Sequence, residues 1–177
     1  MIVNTMIFIG IGANLDSPLH GTPLAACQAS LEAMETHRIR VSVRSPWYRS
    51  RPVPASEQPW FINGVARVES SLDPASLLDL LHRIEAEFGR SRNVPNEARV
   101  LDLDLLAYGG TLADGIQSGP VLPHPRLHER AFVLHPLRDI APGWRHPGSG
   151  ATVDDMLAAL PPGQDCAPLA VEGPEGL

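Results

Sequence analysis

At 177 residues, 44% hydrophobic and 19% charged, the chain has enough apolar sequence for one packed core and too little length for two catalytic domains. Its formal net charge of -6 excludes the broad basic face that nucleic-acid and membrane-surface binders use, so an anionic ligand must be held by a local cluster. Cys27 and Cys166 match neither a disulfide framework nor a metal-ligand spacing.

The apolar run Met1 to Gly12 lacks a basic leader and is cut by Gly10, Gly12, Asn14 and Asp16, so neither a signal peptide nor a membrane span is expected; the cytoplasm is. Met6 to Ile11 reads as a first buried strand. After the Thr22-Pro23 start signal, Leu24, Cys27, Leu31 and Met34 recur at helical spacing. Arg38 to Arg49 and Phe61 to Glu69 alternate like two strands joined by the Pro-rich stretch Arg51 to Pro59. Asp73 and Pro74 open a second helix with the stripe Leu77, Leu81, Ile84 and Phe88, closed by Gly89.

Val100 to Tyr108 alternates again. The order strand, helix, strand, strand, helix, strand predicts an α+β, ferredoxin-like βαββαβ core with an antiparallel sheet, helices on one face and a C-terminal extension. In that extension Arg130 to Asp139 reads as a short strand or helix and Thr152 to Leu160 as a short helix. One domain over 1–160 and a flexible tail over 161–177 are expected.

The sharpest chemical feature lies in the fourth predicted strand, Val100-Leu101-Asp102-Leu103-Asp104-Leu105. A period of two puts the leucines on one face and both carboxylates on the other, about 7 Å apart. Magnesium commonly takes one or two carboxylates plus phosphate oxygens and water, so the pair suits metal-bound ATP; the other reading is a wet acidic strand face. Arg90 and Arg92 follow the second helix and Arg99 precedes the strand, bringing three guanidinium groups close to the aspartates. They suit transferring phosphoryl oxygens, or else they oppose a helix dipole and pair with nearby glutamates. All 14 basic residues are arginine, which favours forked phosphate contacts, although base composition produces the same bias. Pro123-His124-Pro125, with Arg126, Arg130 and Phe132, adds a rigid polar segment. The chain contains no Walker loop, dinucleotide fingerprint, nucleophile elbow or His-rich zinc spacing.

From the first strand to about Leu160 these segments, in order, resemble the 6-hydroxymethyl-7,8-dihydropterin pyrophosphokinase family of folate biosynthesis. The carrying motifs are Ile9-Gly10-Ile11-Gly12-Ala13-Asn14-Leu15, Tyr48-Arg49-Ser50, Glu57-Gln58-Pro59-x-Phe61-Ile62-Asn63, Gly89-Arg90-x-Arg92, Arg99-x-x-Asp102-Leu103-Asp104-Leu105 and Pro123-His124 through Arg130-x-Phe132. The resemblance implies transfer of pyrophosphate from ATP to the pterin hydroxymethyl group with release of AMP.

By the same resemblance Asp102 and Asp104 hold two Mg2+ ions, with Arg90, Arg92 and Arg99 catalytic beside them. ATP is surrounded by His82, Glu85, Arg92, Arg99, His124 and Arg130. Gly12, Asn14, Ser50, Pro52, Val53, Phe61, Asn63 and Phe132 form the pterin pocket, the two phenylalanines sandwiching the ring. Three positions depart from the family pattern: Arg51, Pro54, and Asn93 to Ala98, an expected lid without the usual tryptophan. ATP and the pterin are the expected partners of a monomer, with no nucleic acid and no membrane. The competing readings are a non-catalytic pterin or nucleotide binder, and an RNA-binding module of the same strand order. The module would need exposed sheet aromatics and a basic sheet, which this sequence does not offer.

Overall fold

The computed structural model describes residues 5–90, 98–116 and 119–170. The first strand, β1 (Ile7–Ala13), is followed by helix α1 (Pro23–Thr36), which Thr22 caps by accepting from the Ala25 N–H. Strands β2 (Arg40–Arg44) and β3 (Tyr48–Ser50) then lead through a loop to β4 (Phe61–Glu69). Helix α2 (Pro74–Glu87) starts at Asp73, whose carboxylate accepts from the Ala75 and Ser76 amides. It ends at Phe88, beyond which Gly89 takes a positive φ of 89°.

Strand β5 (Asp102–Tyr108) completes a core sheet of order β5-β1-β4-β3, antiparallel throughout, with β2 pairing the other half of β4. This is the predicted ferredoxin-like plan, its second strand divided in two. The division falls at Ser45 to Trp47, where Pro46 has no N–H for the ladder. Ser45 instead exchanges bonds with Val65, its amide donating to the carbonyl at 2.9 Å and its hydroxyl accepting from the amide at 3.0 Å. Trp47 packs on Gly64 so closely that a Cβ there would stand 2.7 Å from its ring.

Strand periodicity gives the sheet two unlike faces. On one, Ile7, Ile9, Ile11, Leu103 and Leu105 are buried under α1 and α2, which contribute Met34, Leu77, Leu81 and Ile84. On the other, Phe8, Val65 and Leu106 are covered by α3 (Ala131–Ile140) and α4 (Val153–Ala158) through Leu134, Leu137 and Met156. The segment expected as strand or helix is therefore the helix α3, since Val133, Leu134 and Leu137 sit at helical spacing on one buried side. A two-stranded ribbon, β6 (Ala113–Asp114) with β7 (Val121–Leu122), precedes them.

Within the span expected as a flexible tail, Cys166–Pro168 forms β8, paired antiparallel with β3. The Leu169 amide extends the pairing by donating to the Trp47 carbonyl at 2.8 Å. Edge pairing supplies an order that the Pro- and Gly-rich composition does not suggest. Residues 171–177 lie outside the described residues.

Candidate active site

The second sheet face is only half covered. The same alternation that turns Phe8 and Leu106 toward α3 brings Gly12, Asn63, Asp102 and Asp104 to its open end, where a cleft of about 330 Å³ begins. Gly10 and Gly12 on β1 stand opposite Asp104 and Asp102 on β5. The strand carrying the aspartates is anchored from behind by Leu101, Leu103 and Leu105, all buried.

Asp102 accepts hydrogen bonds from Arg90 and, at 2.8 Å, from Arg99. Arg90 is braced in turn by Glu85, at 2.5 Å, and the same Glu85 oxygen accepts from the Leu103 amide at 2.7 Å. Asp104 faces Arg130 at 3.7 Å. Burial raises both carboxyls, but the Arg99 and Arg90 guanidinium groups outweigh it at Asp102 and hold that group below the usual carboxylate range. At Asp104 burial and then the charge of Asp102 push the carboxyl up to about 7 against the pull of Arg130. His124, half-buried beside Arg130, is lowered to about 4 and is neutral at pH 7.

The other half of the cleft is polar at its floor and apolar at its walls. Asn63 on β4 donates to the Ser50 hydroxyl at 2.7 Å, fixing which way its amide points. Pro52, Val53 and Phe61 line one wall, and Phe132, in the first turn of α3, lines the other. Arg130 lies over the Phe132 ring, its guanidinium carbon 5.5 Å from the centroid.

Arg90, Arg99, Asp102, Asp104, His124 and Arg130 thus share one cleft with Gly12, Ser50, Pro52, Val53, Phe61, Asn63 and Phe132. Three expected contacts stand back from it. Glu85 is 1% exposed beneath Arg90, and His82 lies along α2 away from the lining. Asn14, 2% exposed, works behind the wall: its side-chain oxygen accepts from the Arg99 amide at 2.8 Å, and its amide donates to Gln58 and to the Pro59 carbonyl. Arg92 and residues 93–97 of the expected lid lie outside the described residues. Arg51, Pro54, Ser56 and Gln58 also line the cleft without having been expected to. The sequence signals for them are the Pro-rich stretch Arg51 to Pro59, the motif that includes Gln58 and the departures at Arg51 and Pro54, since loops set on a rigid sheet often carry binding residues.

Among the described residues no three His, Cys, Asp or Glu side chains cluster as a metal cage. Two carboxylates opening into a cleft rimmed by arginines fit a cation that completes its shell with phosphate oxygens and water, which is how magnesium binds with nucleotides.

The family model for 7,8-dihydro-6-hydroxymethylpterin-pyrophosphokinase matches residues 8–142, a span that includes both aspartates, the arginines and Phe132. The chain is 40% identical over 156 residues to 2-amino-4-hydroxy-6-hydroxymethyldihydropteridine pyrophosphokinase of Pseudomonas aeruginosa, covering 88% of this chain and 91% of that one. It is 38% identical over 159 residues to the protein of the same name in Methylorubrum extorquens, covering 89% and 95%. Among solved structures, Plasmodium falciparum HPPK-DHPS superposes with a TM-score of 0.60 at 12% identity, over 87% of this chain and 42% of that one, a likeness of fold. A match that runs from β1 through α3 takes in every strand and helix bordering the cleft, and this chain belongs to the 7,8-dihydro-6-hydroxymethylpterin-pyrophosphokinase family.

Proposed function

We propose that the cleft is where the chain carries out its family's reaction, with Asp102 and Asp104 holding two Mg2+ ions that carry ATP. The reaction transfers the pyrophosphoryl group of ATP to the hydroxymethyl group of 6-hydroxymethyl-7,8-dihydropterin in folate synthesis. A bond forms between the hydroxymethyl oxygen and the β-phosphorus, the bond from that phosphorus to the AMP oxygen breaks, and AMP leaves.

The observation that carries this reading is that paired carboxylates and an arginine rim open into the same cleft as Asn63 and two phenylalanines. Metal ions would supply charge for the phosphates and acidify the attacking hydroxyl, so no protein base is needed. The chain's own side chains do the rest. Arg90, Arg99 and Arg130 neutralise the transferring oxygens, and the neutral His124 offers an imidazole nitrogen to ATP. Asn63, oriented by Ser50, reads the hydrogen-bonding edge of the pterin while Phe61 and Phe132 hold its faces. Glu85 and Asn14 act through Arg90 and Arg99.

In this reading the pyrophosphokinase domain, expected over residues 1–160, works as a monomer in the cytoplasm, and β8 extends its sheet at the β3 edge. Among the described residues no helix is long and apolar enough to cross a membrane.

AMP release from ATP, followed with and without hydroxymethyl-dihydropterin and Mg2+, tests the reading. AMP and a diphosphorylated pterin should appear only when all three are present. ADP with a monophosphorylated pterin would overturn it.

A further inference from the structure

We infer that Gln164 and Asp165 form a strap that positions the two walls of the pterin cleft against each other. Both residues lie beyond residue 142, where the match to the family model ends. The Gln164 side chain is used at both ends: its oxygen accepts from the Ala131 amide at 2.9 Å, and its nitrogen donates to the Glu129 carbonyl at 2.8 Å. Those two backbone groups flank Arg130, whose N-cap position lacks a side-chain hydrogen bond of its own. Gln164 therefore caps the start of α3 from outside and sets the direction in which Arg130 and Phe132 leave it.

The next residue reaches the opposite wall. The Asp165 carbonyl accepts from the Arg51 amide at 3.1 Å, and its carboxylate pairs with the Arg51 Nε at 2.8 Å. Arg51 begins the loop that carries Pro52 and Val53 along the cleft. Strand β8 follows at once and locks the register, with Cys166 opposite Ser50. One short segment is thus bonded to both sides of the site.

The two contacts differ in weight. The Arg51–Asp165 ion pair is more than half exposed on each side and is screened, so Asp165 acts mainly through its backbone. Gln164 bonds one backbone group on each side of the Arg130 N-cap, where the first helical amides lack intrahelical acceptors, so it is the positioning residue of the strap.

The inference rests on the proposed site, because the strap matters only if Arg130 and Phe132 meet the substrates. The test compares native enzyme with Gln164→Met, which keeps the shape and loses both bonds. Dihydropterin affinity is measured by calorimetry, and amide exchange over residues 129–132 is followed without ligand. Gln164→Met should weaken pterin binding about threefold to tenfold and speed that exchange, while Asp165→Asn, which retains an acceptor for Arg51, binds within about twofold of native. Faster exchange with unchanged pterin affinity, or unchanged exchange, would overturn the strap and leave the site standing. Native enzyme that fails to bind the pterin would overturn the site and the strap together.

Discussion

The backbone amide of Arg99 donates to the side-chain oxygen of Asn14 at 2.8 Å, so a residue of the β1 loop sets the position of a guanidinium that meets Asp102. The other end of Asn14 holds Gln58 and Pro59, in the loop over the pterin half of the cleft. One buried amide therefore links the phosphate side of the site to the pterin side.

Asn14→Ala should remove the side-chain acceptor of the Arg99 amide and the side-chain donor to the Pro59 carbonyl. The expected loss of stability is about 1–3 kcal/mol, read by urea denaturation. Turnover should fall about tenfold at saturating ATP and the pterin KM should rise, since both halves lose their tie. A stability loss with both kinetic constants intact would mean that Asn14 serves the fold alone.

The two aspartates should respond oppositely to loss of charge. Asp102 is held below its usual range by Arg99 and Arg90, so Asp102→Asn removes a favourable interaction and should lower the melting temperature. Asp104 is raised to about 7, so its carboxylate weakens the metal-free fold progressively as pH rises from its unfolded value of 3.8. Asp104→Asn should accordingly stabilise the metal-free protein at pH 8, by about 1–3 kcal/mol after discounting for solvent. Both substitutions should cut turnover by about a thousandfold or more, a loss of about 4 kcal/mol in transition-state stabilisation. Calorimetric and kinetic measurements on the same samples would show whether the group that costs stability is the one the reaction needs.

Much of this site is legible in the sequence because it is written at short range. Asp102 and Asp104 face one way through strand alternation alone, and the Asp73-Pro74 start and Gly89 end of α2 place Arg90 at the neighbouring corner. Glu85 shows the limit of such reasoning. The family resemblance sets it around ATP, with His82 on its helix face, whereas the fold buries Glu85, where it accepts from the Leu103 amide of another element. Gln164 was equally hidden, because its partners Glu129 and Ala131 are more than thirty residues away and its own surroundings read as tail. The β2–β3 break escapes the alternation over Arg38 to Arg49, because it depends on Pro46 together with the pairing of Ser45 with Val65.

His124 gives the fold a pH dependence of known sign. Burial, then Arg130 and Arg126, lower it to about 4 from 6.5, while Asp102 pulls the other way. The unfolded chain therefore takes up the proton first as pH falls, and the His124 contribution to stability is present above pH 6.5 and lost toward pH 4. The full shift corresponds to about 3 kcal/mol, less what solvent screening removes at a partly exposed ring. Denaturation midpoints measured from pH 8 to pH 4.5 should fall less steeply in His124→Gln than in native protein. Parallel curves would show that the ring is not held neutral.

Gly12 is where the backbone of β1 makes room for the pterin-side amide. A Cβ on Gly12 would stand 3.0 Å from the Asn63 side-chain oxygen, closer than a relaxed contact allows. The Asn63 amide would have to move by a few tenths of an ångström, and its 2.7 Å bond to the Ser50 hydroxyl would lengthen or turn with it. The obstructing atom belongs to a side chain, so Gly12→Ala should cost the fold less than about 1.5 kcal/mol. Recognition should suffer more than folding: the pterin KM is expected to rise about fivefold to tenfold, with kcat at saturation and the ATP KM within about twofold of native. Ser50→Ala should move the same constant in the same direction by leaving the Asn63 amide unheld. If Gly12→Ala raised the ATP KM and left the pterin KM alone, the assignment of the two halves of the cleft would be reversed.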